Sequence, residues 1–357
     1  MKALILIGGE GTRLRPLTLN TLKCMVPIVD KHFFEHQFGL LKKHGINEII
    51  LSICHMPQKI KKILGTGAKY GVKIRYAVEE SPLGTGGAIK NAEKYMDDTT
   101  IILNGDILTD IDITKMAAFH KKSNAAVTIA LHKVEDPSAY GLVETDSNNK
   151  VLRFLEKPNA DESRGNSWIN AGIYIFNKKV LDYIPAGVNY SVERQFYPQV
   201  LKIGENVSAY KADFYWLDIG RLDKYMQANF DVLEKKFVDP AMKFSKSNKC
   251  SIFLGKKVKK DKKAFLRGPV YIGDGSVIGK ASINPLSIIG KGCSVGNNAV
   301  IENSIIWEDT SIEESVTIKN SIIGKHCVIL SNSELDGVVI GDNTVITHYS
   351  RMGRKNG

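Results

Sequence analysis

Gly8, Gly9 and Gly11, followed at once by Thr12 and Arg13, form the densest candidate for chemistry in this 357-residue chain. Without a Cβ, successive glycines let the backbone approach an anion closely and turn its N–H groups toward phosphate oxygens. Arg13 adds a permanent cation. Taken alone, such a run is as well explained by a tight turn after a strand. Two familiar phosphate loops do not fit. There is no Gly-Lys-Ser/Thr ending, and Gly9-x-Gly11-x-x-Leu14 lacks the third glycine of the dinucleotide fingerprint. Pro16 discourages an immediate long helix, so the loop is expected to wrap its ligand rather than present a helix end.

Four other stretches carry groups of the right type. Glu79 to Gly87 sets two carboxylates beside a glycine run that opens a helix, with Gly84 placed to let backbone lie against a flat ligand. Glu79 or Glu80 would suit a ligand edge that presents two N–H donors side by side. Asp106 follows Asn104-Gly105, and Asp218 stands inside the apolar run Trp216 to Ile219. A buried unpaired carboxylate is costly, so each should be exposed or partnered. On spacing alone each also reads as a turn or a capped helix start. The pair Glu156-Lys157 before Pro158 reads, without context, as solvent decoration on a sheet edge. Ser191-Val192-Glu193 reads as a helix start and is given no catalytic role.

These residues need a frame. Up to about residue 235 short β-rich runs (2–7, 49–53, 72–78, 100–103) alternate with helical patterns (33–44, 58–64, 88–95, 113–122), and Asp112 is placed to cap the last. The alternation predicts an α/β, Rossmann-like, mixed and mostly parallel sheet with helices on both faces. In such sheets ligands bind beyond the carboxyl ends of the strands, where the motifs fall. The later part changes period. Ile272, Ile289, Ile306, Ile323 and Ile340 are spaced by 17 residues, as are Ile278, Val295, Ile312, Ile329 and Ile346, and again Ile301, Ile318 and Leu335. Three phased aliphatic columns predict a triangular solenoid of stacked coils resembling a left-handed parallel β-helix. The expected domains are 1–235, a connection at 236–265, the β-helix at 266–349 and a basic tail at 350–357.

Composition narrows the classes further. With 43% hydrophobic and 24% charged residues the chain reads as a folded protein. No apolar run has the length of a membrane span, so no membrane partner is expected. Five scattered cysteines without a CxxC pair argue against a disulfide framework or zinc ribbon and suggest a reducing cytoplasm. The net charge of +11 owes much to the lysines at 256–263 and to the end of the chain. No aromatic residues interleave that run, so nucleic acid is not an expected partner.

The full run GGEGTRLRPLT, with Lys23 and Met25-Val26-Pro27 after it, resembles the signature of the sugar-phosphate nucleotidyltransferases, and among them the mannose-1-phosphate guanylyltransferases. The resemblance spans nearly the whole chain. It implies that Leu6, Gly8, Gly9, Gly11, Thr12, Arg13, Lys23, Glu79, Gly84 and Asp106 bind the nucleotide. It implies that Gly141, Glu156, Lys157 and Asn170 bind the sugar phosphate, and that Asp106 and Asp218 hold Mg²⁺. Arg13, Lys23, Asp106, Lys157 and Asp218 would carry catalysis by positioning and charge neutralisation. The implied partners are a nucleoside triphosphate, GTP being favoured, and a sugar 1-phosphate, with a homo-oligomer formed through the β-helix. The sequence departs from the family at Leu22, Cys24 and His32, where prolines are usual, so the segment aiming Lys23 is expected to be looser. A glucose-1-phosphate enzyme using UTP, dTTP or ATP, and a non-catalytic homologue that binds the nucleotide sugar, remain alternatives. An acyltransferase built on His326 and His348 ranks below both.

Overall fold

The computed structural model describes residues 1–159, 161–163, 165–237 and 251–353. It divides into two compact units, Met1–Gly9 with Gln37–Leu217, and Glu10–His36 with Asp218–Gly357.

The first unit is built on a nine-stranded mixed sheet. Its strands are β1 (Lys2–Ile7), β2 (Glu48–Ile53), β3 (Lys73–Val78), β4 (Thr99–Asn104), β5 (Val127–Lys133), β6 (Gly141–Thr145), β7 (Val151–Glu156), β8 (Trp168–Asn177) and β9 (Val207–Lys211). The main order is β7-β6-β8-β4-β1-β2-β3, with β5 paired to β8 and β9 to β5. Strands β4, β1, β2 and β3 run parallel. Both faces of a parallel sheet are covered in such folds, and β1 and β4 are accordingly almost unbroken aliphatic runs. From β8 onward the neighbours are antiparallel, except that β9 runs parallel to β5. The helix Ile113–Lys122 begins as expected, with Asp112 accepting from the Lys115 N–H at 3.0 Å.

In the second unit the chain winds through six coils whose strands stack into three six-stranded parallel sheets, a left-handed β-helix. Registers such as Ile272 opposite Ile289 and Ile312 opposite Ile329 reproduce the 17-residue columns. Ile289, Ile306 and Ile323, and likewise Ile301, Ile318 and Leu335, are buried. Asparagines at 298, 320, 332 and 343 adopt positive φ at the corners, where their short polar side chains tolerate the left-handed region.

Three boundaries differ from expectation. The first coil starts at Ile252 within the expected connection, because Ile252–Leu254, Lys259–Lys260 and Phe265–Leu266 pair with the second coil. Lys260 stands opposite Ile278, so this coil interrupts one of the three aliphatic columns, while Leu254 and Leu266 continue the other two opposite Ile272 and Ile283. At the other end Arg351–Gly353 pairs with Glu334–Asp336, leaving only residues 354–357 of the expected tail outside the described residues. The expected catalytic domain at 1–235 is also divided. Residues 10–36 and the helix Leu222–Leu233 belong with the β-helix, because buried hydrogen bonds tie them together: Trp307 Nε1 donates to Tyr225 Oη and Tyr225 Oη to the Pro27 carbonyl. The remainder of the expected connection, 238–250 with Cys250, lies outside the described residues.

Ile306 is fully enclosed between neighbouring coils. Ile306→Ala should therefore destabilise the β-helix by about 2–5 kcal/mol, read as a lower denaturation midpoint with an unchanged slope; an unmoved midpoint would contradict the stacked-column core.

Candidate active site

In the first unit the site grows from the ends of β1 and β4. Leu6 pairs with Asn104, and the Gly105 N–H donates to the Leu6 carbonyl at 3.0 Å. A Cβ on Gly105 would lie 2.5 Å from that oxygen, so only glycine fits there. The turn thus sets Asp106 at the carboxyl end of the parallel strands. Gln37, only 4% exposed, donates through Nε2 to the carbonyls of Asn104 (2.9 Å) and Ile107 (3.3 Å), clamping the turn on both sides. No feature of the sequence signalled that role.

Glu79 is buried beneath Gly8, whose added Cβ would come within 3.9 Å of Glu79 Oε1. Its carboxylate accepts from Ser52 Oγ (3.0 Å) and from the Leu83 N–H (3.1 Å), which fixes the loop over residues 79–83. Glu80 is exposed. The helix Gly84–Ala92 starts four residues earlier than its apolar pattern suggests. Gly84 has φ +68°, and a side chain there would press on the Tyr190 carbonyl at 2.9 Å. The N–H groups of Gly86 and Gly87 donate to that same oxygen. The glycines of this second loop are thus explained by the close approach of residues 188–190.

Around Glu156 a second cluster forms. Glu156 pairs with Gly141, and Lys157 has φ +52°, an uncommon conformation for a lysine, with its N–H donating to the Tyr140 carbonyl. The pairing of β8 with β5 shifts between Asn170 and Tyr174, a bulge that re-aims Asn170 so that its Nδ2 donates to Tyr174 Oη at 2.8 Å. Gly172, at φ +70°, leaves room for the Asn104 side chain. Trp216 closes this side, its Nε1 donating to the Ala171 carbonyl and its ring meeting Tyr140 edge-on at 5.4 Å. Glu193, read in the sequence only as part of a helix start, belongs here too. Ser191 does cap that helix, accepting from the Arg194 N–H. Thr85 Oγ1 donates to Glu193 Oε2 at 2.8 Å and Ser191 Oγ donates to the same oxygen. Burial pushes the Glu156 pKa up, and the nearby Glu193 charge adds to this, while Lys157 and Arg194 oppose it.

In the second unit Gly11 takes φ +69°, and a Cβ there would lie 3.1 Å from Lys23 Cβ. Only a three-residue 3₁₀ turn, Thr12–Leu14, follows the glycines, so no long helix begins there. Gly220 separates two charged groups: its added Cβ would be 2.8 Å from both Arg13 Nη2 and Asp218 Oδ1. Asp218 Oδ1 accepts from the Gly220 N–H at 2.7 Å, which fixes the orientation of the carboxylate. Cys24, next to Lys23, is buried and its pKa is raised to about 12 by desolvation, so it remains a thiol and offers no nucleophile. Leu6, Asp106, Glu79, Gly84, Gly141, Glu156, Lys157 and Asn170 are thus held in the first unit, and Gly11, Arg13, Lys23 and Asp218 in the second.

The fold and these groups define a phosphate-handling enzyme frame, and comparison with known proteins agrees. Residues 2–235 match the family model described as nucleotidyl transferase, and 249–352 the model described as the EIF2B subunit epsilon LbH domain. The chain belongs to the nucleotidyl transferase family. It is 37% identical to the mannose-1-phosphate guanylyltransferase of Mycobacterium tuberculosis, covering 79% of this chain and 76% of that protein. It is 35% identical to the UTP–glucose-1-phosphate uridylyltransferase of Synechocystis, covering 81% and 80%. Among solved structures, HddC from Yersinia pseudotuberculosis complexed with GMP-PN aligns with a TM-score of 0.56 at 31% identity, covering 66% of this chain and 99% of that one.

A raised folded pKa means that Glu156 keeps its proton to higher pH, and the stability this lends is lost as pH rises through that folded value. Glu193→Gln removes the neighbouring like charge, so the Glu156 titration followed by carboxyl NMR should move to lower pH. An unmoved titration would show that the two carboxylates do not feel each other.

Proposed function

We propose that this chain transfers a nucleotidyl group from a nucleoside triphosphate to a sugar 1-phosphate, with GTP and mannose 1-phosphate as the pair. The observation that carries the reading is the grouping of Arg13, Asp218 and Gly220, with Lys23 packed beside Gly11. Two cations of one glycine loop suit a triphosphate, and the half-buried Glu156 beside Lys157 suits sugar hydroxyls and a sugar phosphate. Guanine and mannose are supported by the M. tuberculosis relative and by the GMP-PN complex of HddC. The Synechocystis relative supports UTP and glucose 1-phosphate as the second reading.

A phosphate oxygen of the sugar 1-phosphate is already an anionic nucleophile, so no side-chain base is required. That oxygen forms the new bond to the α-phosphorus, the bond between the α-phosphorus and the bridging oxygen breaks, and pyrophosphate leaves with the electron pair. Arg13 and Lys23 neutralise the triphosphate, Lys157 restrains the nucleophile, and Glu156 and Asn170 orient the sugar. Among the described residues no group of three or more metal-ligating side chains is assembled. Asp106 and Asp218 are the carboxylates that would hold Mg²⁺, a cation that needs only one or two such ligands from the protein. When bound there it would supply positive charge for the phosphate oxygens. No disulfide joins the described cysteines, and no helix among the described residues is long and apolar enough to cross a membrane; a reducing cytoplasm is the proposed location.

A panel of nucleoside triphosphates against mannose, glucose and glucosamine 1-phosphates, scored by pyrophosphate formed, should give its highest kcat/KM for GTP with mannose 1-phosphate. Lys23→Ala should lose on the order of 10³-fold in kcat. Asp106→Asn should abolish metal-dependent pyrophosphate release with the thermal transition unchanged. Full activity in the Asp106 variant would end the assignment.

A further inference from the structure

The segment that carries Lys23 has little regular structure of its own. It is a three-residue 3₁₀ turn, Lys23–Met25, followed by a hairpin of two-residue strands, Pro27–Ile28 and Lys31–His32. Its tip contains Val29 at φ +57°, a conformation that a β-branched residue adopts only against strain. Chain entropy opposes a single geometry here, and Leu22, Cys24 and His32 lack the fixed φ of proline. Yet Leu22, Cys24 and Met25 are buried, and the segment is tied along its length.

The ties come from the β-helix and from one helix lying on it. Tyr225 and Asn229, both fully buried, sit one turn apart on the helix Leu222–Leu233. Asn229 Oδ1 accepts from the strained Val29 N–H at 2.8 Å, and its Nδ2 donates to the Tyr225 carbonyl. Tyr225 Oη donates to the Pro27 carbonyl at 2.6 Å while accepting from Trp307 Nε1 at 2.9 Å. Trp307 follows the Ile305–Ile306 strand of the fourth coil. The sixth coil supplies Asp342, which accepts from Thr21 Oγ1 at 3.2 Å, and Gly341, where an added Cβ would lie 3.2 Å from Pro16 Cβ. The second coil supplies Tyr271, hydrogen-bonded to Asp30. Within the segment His32 Nδ1 donates to the Met25 carbonyl at 2.8 Å, a cross-link available only because residue 32 is not proline. Anchors thus recur on every second coil along one side of the stack.

We propose that the β-helix is the positioning device for Lys23, acting through the Trp307–Tyr225–Pro27 bridge, the Asn229–Val29 bond and the Asp342–Thr21 bond. This deepens the proposed function and rests on its assignment of Lys23 to the triphosphate. Trp307, Tyr225, Asn229 and Asp342 are positioning residues; they act by aiming another side chain.

Tyr225→Phe keeps the volume and removes the hydroxyl that joins Trp307 to Pro27. It should raise the KM for the triphosphate and lower kcat by about tenfold in all, at temperatures well below its thermal transition, with the KM for the sugar 1-phosphate within about twofold of wild type. Trp307→Phe should do the same to a smaller degree, and the double variant should lose no more than Tyr225→Phe alone, because both break one bridge. Should Tyr225→Phe fail to fold, Trp307→Phe and Thr21→Val carry the same expectation at the two ends of the brace. Wild-type kcat and triphosphate KM in folded Trp307→Phe and Thr21→Val, alongside an inactive Lys23→Ala, would overturn the positioning role while leaving the function standing. A fully active Lys23→Ala would instead overturn both.

Discussion

A glycine-rich loop cannot hold its own shape, and that constraint organises much of this protein. Fixing each backbone residue costs roughly 1–2 kcal/mol, glycine costs the most, and the charged groups on such a loop gain only if they arrive already aimed. The chain meets the requirement by turning loop polar groups into obligatory partners of rigid elements. In the first unit the Leu6 carbonyl is taken by Gly105, and the buried carboxylate of Glu79 holds the neighbouring loop through Leu83. In the second unit the Pro27 carbonyl and Val29 N–H are taken by Tyr225 and Asn229. Glu79, Tyr225 and Asn229 are buried, where an unmade hydrogen bond would cost about 1–3 kcal/mol. The ordered loop is therefore the low-energy state before any ligand arrives.

The same principle separates the carboxylates by role. Glu79 is buried and accepts from two donors, which tie its carboxylate to Ser52 and to the loop at Leu83. Asp218 has one oxygen oriented by Gly220 with the Arg13 guanidinium close by, an arrangement that fixes direction. Glu156 and Glu193 repel one another in a half-buried setting, with Lys157 and Arg194 as the opposing charges. That cluster is held together by neutral donors, Thr85 and Ser191, on the side away from Glu156's own strand. Burial and a like charge on one side, and two cations on the other, leave Glu156 held between opposing influences.

What could be read from the sequence follows from how local the physics is. The aliphatic columns of the β-helix were legible because each coil repeats one inward position per face, and the parallel strands because a buried strand is a continuous aliphatic run. The ends of the β-helix were not, since the first coil places Lys260 where later coils place isoleucine or valine, and three steps lengthen to 18 residues, at Ile252 opposite Val270, Lys260 opposite Ile278 and Ile283 opposite Ile301. The glycine at 84 was legible as necessary but its cause was not: the crowding oxygen belongs to Tyr190, more than a hundred positions along the chain. Gln37 and Glu193 were silent because a clamp and a charged neighbour leave no periodic trace. The missing prolines suggested a loose loop; the replacement, His32 to Met25 together with Asn229 to Val29, involves contacts that only folding creates.

This leaves a reason for the chain to interleave its units as it does. A loop braced only by its own turns would have no single geometry. Residues 10–36 instead belong with a stack of coils whose aliphatic columns are closed on all three faces and whose ladders run through six strands each. Such a stack is stiff because each coil is hydrogen-bonded to its neighbours along its whole length, so an anchor on one coil is also held by the next. Anchors on the second, fourth and sixth coils spread the load over the stack rather than over one side chain. In the proposed positioning role the β-helix needs no chemistry of its own, and His326 and His348 stand on its exposed corners near Asp309 and Glu313.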